Sequence, residues 1–334
     1  MKNKFSDIDP ALKELIVKSG DMDQSVAFAA QMELAKAIQS GLRDGILVGD
    51  VVRNIFTSVV VAPGAEIEYP LDVLAPGEED EFVAYTNPGN GYIPQKTAEG
   101  DYVKIPTYGV AGSIDWLLRI ARNAQYDIIA RYLQILEAEF IKKCNDDGWH
   151  TILAAVADRN ILVHDPDASN GLFTKRVVSL LKTTTRRNGG GNTASLKRFK
   201  LTDIFLSLES LEDMRNWGLD QIDEVTRREI YNAADGTINR VFGVNLHELT
   251  ELGEDQEYQN FFTSSLGGSL ASGDSELLIG VDMETTNSFV MPIRQEVSLF
   301  QDPALHREQR AGYYGWGEWG FGVLDNRSVI GASC

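Results

Sequence analysis

The sequence predicts an α+β fold, and three observations carry that expectation. Strand-like runs lie at Val51–Ala62 and Arg294–Ile330, helical periodicity extends from Tyr126 to Val156, and residues 160–291 mix short strands with capped helices. At about 150 residues per domain, 334 residues fit two domains. With 43% hydrophobic and 24% charged residues, the chain has the apolar content to bury a core.

Asp9-Pro10 opens a first helix striped by Leu12, Leu15 and Ile16 and closed by Gly20. A second follows on Phe28, Met32, Ala35, Ile38 and Leu42, with Gly45 as its stop. Two such helices cannot make a core alone and read as an arm that docks on something else. Val51–Ala62 reads as a strand. Residues 63–104 then alternate strand-like runs, at 66–73 and 81–86, with the turn Asn87-Pro88-Gly89-Asn90-Gly91, which suits a long β-hairpin extending from the body. Ser113 and Asp115 look like the cap and first turn of a helix carrying Ile114, Leu117, Leu118 and Ala121. The helical pattern from Tyr126 spans roughly 45 Å at 1.5 Å per residue, a spine; Asn145-Asp146-Asp147-Gly148 either ends it or lies within it. Ile204–Leu206, Val241–Leu246 (interrupted by Gly243), Leu277–Val281 and Phe289–Ile293 read as strands, and Ser207 as the cap of the helix 208–217.

Charge is the compositional outlier. Lys and Arg number 31 against 49 Asp and Glu, a net of −18, which argues against a protein built to grip nucleic acid. The charges are also sorted. Residues 63–104 hold nine acids, including Glu78-Glu79-Asp80-Glu81, against Lys96 and Lys104; residues 173–202 hold eight cations and no acid. Among those cations are Lys175, Arg176, Arg186, Arg187, Lys197 and Arg198, around a Gly189-Gly190-Gly191 tip. Opposite signs on two segments make these residues candidates for inter-subunit contact, the acidic hairpin of one copy on a basic surface of the next.

No motif predicts catalysis, a cofactor or a metal. Gly315-Trp316-Gly317-Glu318-Trp319-Gly320 spells a dinucleotide fingerprint but has no helix after it, so glycines packed beside aromatic rings in a strand explain it better. Asp165-Pro166-Asp167-Ala168-Ser169-Asn170-Gly171 imitates a calcium loop, yet Arg176 stands where the bidentate Glu belongs. The four histidines lack metal spacing, and Cys144 and Cys334 make no disulfide framework. Without a signal sequence or an apolar span, the expectation is a soluble, non-enzymatic protein of a reducing compartment.

The order of parts resembles the major capsid protein of tailed bacteriophages, the Hong Kong 97 fold. The runs that carry the likeness are Ile105-Pro106-Thr107-Tyr108-Gly109-Val110, residues 204–211, Leu277–Asp282 followed by Phe289–Arg294, and Phe300-Gln301-Asp302-Pro303 through Trp316. The resemblance implies an N-terminal arm and first strand over 1–62 and an extended loop (E-loop) over 63–104. It further implies a peripheral domain with the spine helix, over 105–159 and 292–334, and an axial domain over 160–291. It implies assembly of the chain with itself into hexamers and pentamers of an icosahedral shell that encloses double-stranded DNA without sequence-specific binding. A separate scaffolding protein, a portal and a decoration protein are the implied partners, with assembly in the host bacterial cytoplasm and residence in the virion. Two alternatives are a nanocompartment (encapsulin-like) shell and a soluble acidic metal-dependent enzyme. Some relatives join a loop lysine to an asparagine of a neighbour, for which Lys96 or Lys104 and Asn326 are the corresponding residue types.

Overall fold

Tyr126–Arg159 forms one uninterrupted helix of 34 residues, part of a computed structural model that describes residues 10–19, 23, 25–34, 52–62, 64–65, 67–70, 102–122, 126–168, 171–188, 199–217, 240–284 and 288–334. The chain divides into two units. The first comprises residues 1–67, 105–148 and 291–321, the second 68–104, 149–290 and 322–334.

In the first unit, strands β1 (Thr57–Val60), β4 (Tyr108–Leu117), β10 (Phe289–Gln301, from Met291 on) and β11 (Arg310–Trp319) form a sheet in the order β1-β10-β11-β4. Strands β4 and β11 pair antiparallel along their whole length, from Arg310 opposite Leu117 to Trp319 opposite Tyr108. This overturns the helix expected after Ser113. Ile114, Trp116 and Leu118 alternate onto the inner face, a period of two that the long partner strand satisfies, and only Leu118–Arg122 (α3) is helical. The inner face packs Trp116, Leu118, Ala311 and Tyr313 against Leu34. Leu34 belongs to the helix at 25–34 (α2); Pro10–Ser19 is α1. The strand expected over 51–62 begins as a 3-10 turn, Val52–Asn54, and is extended only at β1.

Glycines on this sheet face the first part of the long helix (α4). Gly112 and Gly315 are cross-strand partners; a Cβ on Gly112 would crowd Leu136 at 3.1 Å, and one on Gly315 would strike Leu299 at 2.8 Å. A Cβ on Gly317 would strike the Trp319 ring, and one on Gly320 the backbone of Pro106. The glycines of the false fingerprint thus make room for Leu299, the Trp319 ring and the Pro106 backbone. Gly148 likewise makes room for a neighbour, because a Cβ there would overlap Val52, whose amide donates to Asn145 Oδ1 at 3.2 Å. Propensity alone predicts that Gly148→Ala gains about 1 kcal/mol in a helix interior. The overlap predicts instead a net loss of about 1–3 kcal/mol, readable in a urea melt.

The second unit is built on a six-stranded mixed sheet. Its order is β5 (Leu162–Val163), β13 (Val329–Ser333), β9 (Leu277–Val281), β6 (Asp203–Leu206), β8 (Val244–Glu248) and β7 (Arg240–Val241). Ile204 and Leu206 point to one face, where α5 (Lys175–Asn188) supplies Val177, Val178 and Leu181. Phe205 points to the other, where the Trp149 ring of α4 meets it edge-on at 4.8 Å. Ser207 caps α6 (Leu208–Arg215) as expected, its hydroxyl accepting from the Ser210 amide. A two-stranded ribbon, β2 (Glu68–Pro70) with β3 (Tyr102–Lys104), forms the base of the expected hairpin. The remainder of that hairpin, 71–101, lies outside the described residues. β12 (Gly322–Val323) pairs with Phe289 and Val290. The units divide at 67/68, 104/105, 148/149, 290/291 and 321/322. Trp149, Ile152, Leu153 and Val156 are buried with the second sheet, and β13 is one of its inner strands.

Candidate inter-subunit surfaces

Helix α5 explains the acid-free stretch. Val177, Val178, Leu181 and Thr185 are buried, which leaves Lys175, Ser179, Lys182, Thr183 and Arg186 along the opposite face at helical spacing. That face lines a groove of about 620 Å³ together with Arg176 and Phe242. Phe242 and Gly243 form the tip of the β7–β8 hairpin, both with positive φ, 47° and 80°. A tip of this kind usually takes Asn-Gly, so a bulky ring in the left-handed region is a strained choice. The Phe242 side chain is 43% exposed, and its carbonyl accepts from Lys182 Nζ at 2.7 Å.

Four of the cations expected from the sequence, Lys175, Arg176, Arg186 and Arg187, lie on α5 and are exposed. Glu78, Glu79, Asp80, Glu81, Lys197 and Arg198 lie outside the described residues. Arg176 pairs with Asp167 and reaches Asp165 at 3.3 Å, and the Asp165 carboxylate also accepts from Thr174 Oγ1 at 2.8 Å. A guanidinium therefore fills the place that a calcium ion would need. Charge patterning alone does not point to Phe242, Ser179 or Thr183. The spacing of 175, 179, 182 and 186 is a helical signal within the basic run, whereas the ring depends on a turn that brings β7 against β8.

Two apolar surfaces lie on the first unit. Helix α2 buries Ala27, Ala30, Gln31 and Leu34 and leaves Phe28 and Met32 of the expected stripe exposed, at 44% and 46%. On the sheet, Phe300, Tyr314 and Trp316 stack on the outward face, ring centroids 5.6 and 6.1 Å apart. Each is more than a third exposed.

His247 Nε2 lies 2.7 Å from Asp203 Oδ1, with the Phe205 ring stacked on the imidazole. Asn326 donates to Asp158 Oδ2 at 3.1 Å, and Lys104 pairs with Glu68 at 2.9 Å, so these two cross-link candidates hold partners of their own; Lys96 lies outside the described residues. Cys144 and Cys334 are buried thiols outside any disulfide, and burial pushes the Cys334 thiol up to about 12. Glu276 is 5% exposed and accepts from the hydroxyls of Ser207 and Ser210. Burial raises its carboxyl above the ordinary 4.5, against the lowering by both hydroxyls. It therefore holds a proton to higher pH in the fold than in the unfolded chain, and the resulting stability fades as pH rises from about the ordinary value through the folded one. Glu276→Gln should accordingly gain on the parent as pH goes from 5 to 8 in a series of urea melts; a constant gap contradicts this. Among the described residues no three His, Cys, Asp or Glu side chains converge on a metal position, and no helix is long and apolar enough to cross a membrane.

No protein-family model and no curated protein sequence matches the chain. Solved structures do. A chain of the capsid asymmetric unit of cyanophage Pam1 aligns with a TM-score of 0.56 at 12% identity, covering 84% of this chain and 88% of that one. The capsid of cyanophage P-SCSP1u aligns at 0.51 and 13% identity, covering 85% and 88%. A chain of Microbacterium phage Oxtober96 aligns at 0.55 and 11%, covering 85% and 90%. The fold is that of phage capsid proteins, the α+β Hong Kong 97-like class expected from the order of parts.

Proposed function

We propose that this protein is the major capsid protein of a tailed phage, whose hexamers and pentamers close into an icosahedral shell around double-stranded DNA. The observation that carries this reading is the fold shared with capsid chains over 84% of the sequence. The exposed faces support it: a shell subunit needs wide contact area rather than a catalytic pocket, and many modest interfaces add up to one stable lattice. Closed symmetry lets the same surfaces recur around each capsomer.

Within that reading, the acidic tetrad Glu78–Glu81 of one subunit lies on the basic surface of another, with Lys175, Arg176, Arg186, Arg187, Lys197 and Arg198 as its candidate partners. The net −18 keeps the inner wall from holding the genome while it is reeled in. A scaffolding protein, a portal and a decoration protein complete the particle, which assembles in the bacterial cytoplasm. Size-exclusion chromatography and negative-stain microscopy of the expressed chain test the proposal. Closed, hollow or DNA-filled particles are expected. A stable monomer or dimer, with or without the scaffold, overturns it.

A further inference from the structure

The α5 groove sets a row of cations beside an exposed ring. Lys175, Lys182 and Arg186 follow one helix face over about 16 Å, eleven residues at 1.5 Å each. Arg176 pairs with Asp165 and Asp167, and Lys182 donates to the Phe242 carbonyl at the groove's edge. Phe242 holds a ring over the groove in a backbone region that bulky residues avoid. A row of cations beside an exposed ring suits an extended acidic segment that ends in an aromatic residue.

We infer that residues 78–82 of a second copy, Glu78-Glu79-Asp80-Glu81-Phe82, seat in this groove, with the acids along α5 and Phe82 against Phe242. Any four-residue stretch, if extended, would span about 13 Å at roughly 3.3 Å each, which fits within the cation row. The described acidic run from Glu248 to Glu257 offers no such ring, because Tyr258 beside it is 3% exposed. A DNA duplex matches the charge but leaves the ring without a partner, since its bases are already stacked. The inference rests on the proposed shell, which supplies the second copy, and it goes further by naming the socket and its aromatic anchor.

Two arms test it. In the first, a fluorescein-labelled peptide of residues 76–84 is titrated with the full chain and followed by anisotropy. Binding should weaken roughly tenfold with Lys182→Glu/Arg186→Glu, and by a similar factor between 50 and 500 mM salt. Phe242→Gly, which relieves the backbone, should weaken it several-fold while the chain melts no earlier than the parent. Indifference of the peptide to both substitutions overturns the inference, as does DNA binding the groove equally well with and without Phe242. The second arm uses assembly. The groove reversal and the tip reversal (Glu78, Glu79, Asp80 and Glu81 to Lys) should each abolish particles alone and restore them when the two chains are mixed. Rescue only when both reversals sit in one chain means that the tip folds onto its own groove, which overturns the second-copy assignment. Absence of particles from the parent chain counts against the shell, whereas parental yield from both reversals counts against the groove.

Discussion

Trp149→Ala should cost the second unit about 3–5 kcal/mol, the range for deleting a large buried aromatic. The indole is 1% exposed, meets Phe205 edge-on at 4.8 Å and lies 6.2 Å from the Tyr258 ring. Its neighbours come from a central strand and from a helical turn that flanks the sheet, so they cannot collapse into the void without shifting both. A domain holds roughly 5–15 kcal/mol in total, and a loss of this size removes a large part of it. Equilibrium urea unfolding, followed by circular dichroism, reads the effect. A loss under 1 kcal/mol would mean that the helix end does not pack on this sheet.

Asp325→Ala should be comparably severe for a different reason. Arg327 forks onto the Asp325 carboxylate, with Nε at 2.9 Å and Nη2 at 2.8 Å, and both side chains are more than nine-tenths buried. Arg159 also faces this carboxylate, and its own Nη1 donates to the carbonyls of Asn326 and Val329 at 3.2 Å. One carboxylate thus answers two guanidiniums. Removing it strands buried positive charge, which typically costs 3–5 kcal/mol. Arg327→Met should cost less, since it removes a cation and leaves Asp325 facing Arg159. The ranking of the two variants in the same melts checks this; equal losses contradict it.

Legibility in the sequence follows the range of the interactions. The spine helix is readable because Leu136, Phe140, Cys144 and Ile152 repeat at helical spacing and bury for that reason. Strand β4 is not, because Ser113 and Asp115 carry real cap chemistry and Ile114, Leu117 and Leu118 also fit a helical stripe. Only the partner strand β11, some 200 residues away, selects the alternating face. The passage of α4 through Gly148 depends on Val52, equally remote in local terms. The basic stretch announces a charged surface, and four of its cations lie on α5. The groove over that helix also needs Phe242, which a distant hairpin supplies. Local chemistry is legible, whereas choices settled by distant partners are not.

In the proposed shell, the exposed apolar and aromatic surfaces of the first unit are covered by further copies of the chain. Hydroxyl-radical footprinting of dissociated subunits and of assembled particles addresses this at single residues. Met32 and Trp316, 46% and 40% exposed on the isolated chain, should react readily in free subunits and be protected several-fold after assembly. Equal reactivity in both states, or protection already complete in a lone subunit, would contradict it.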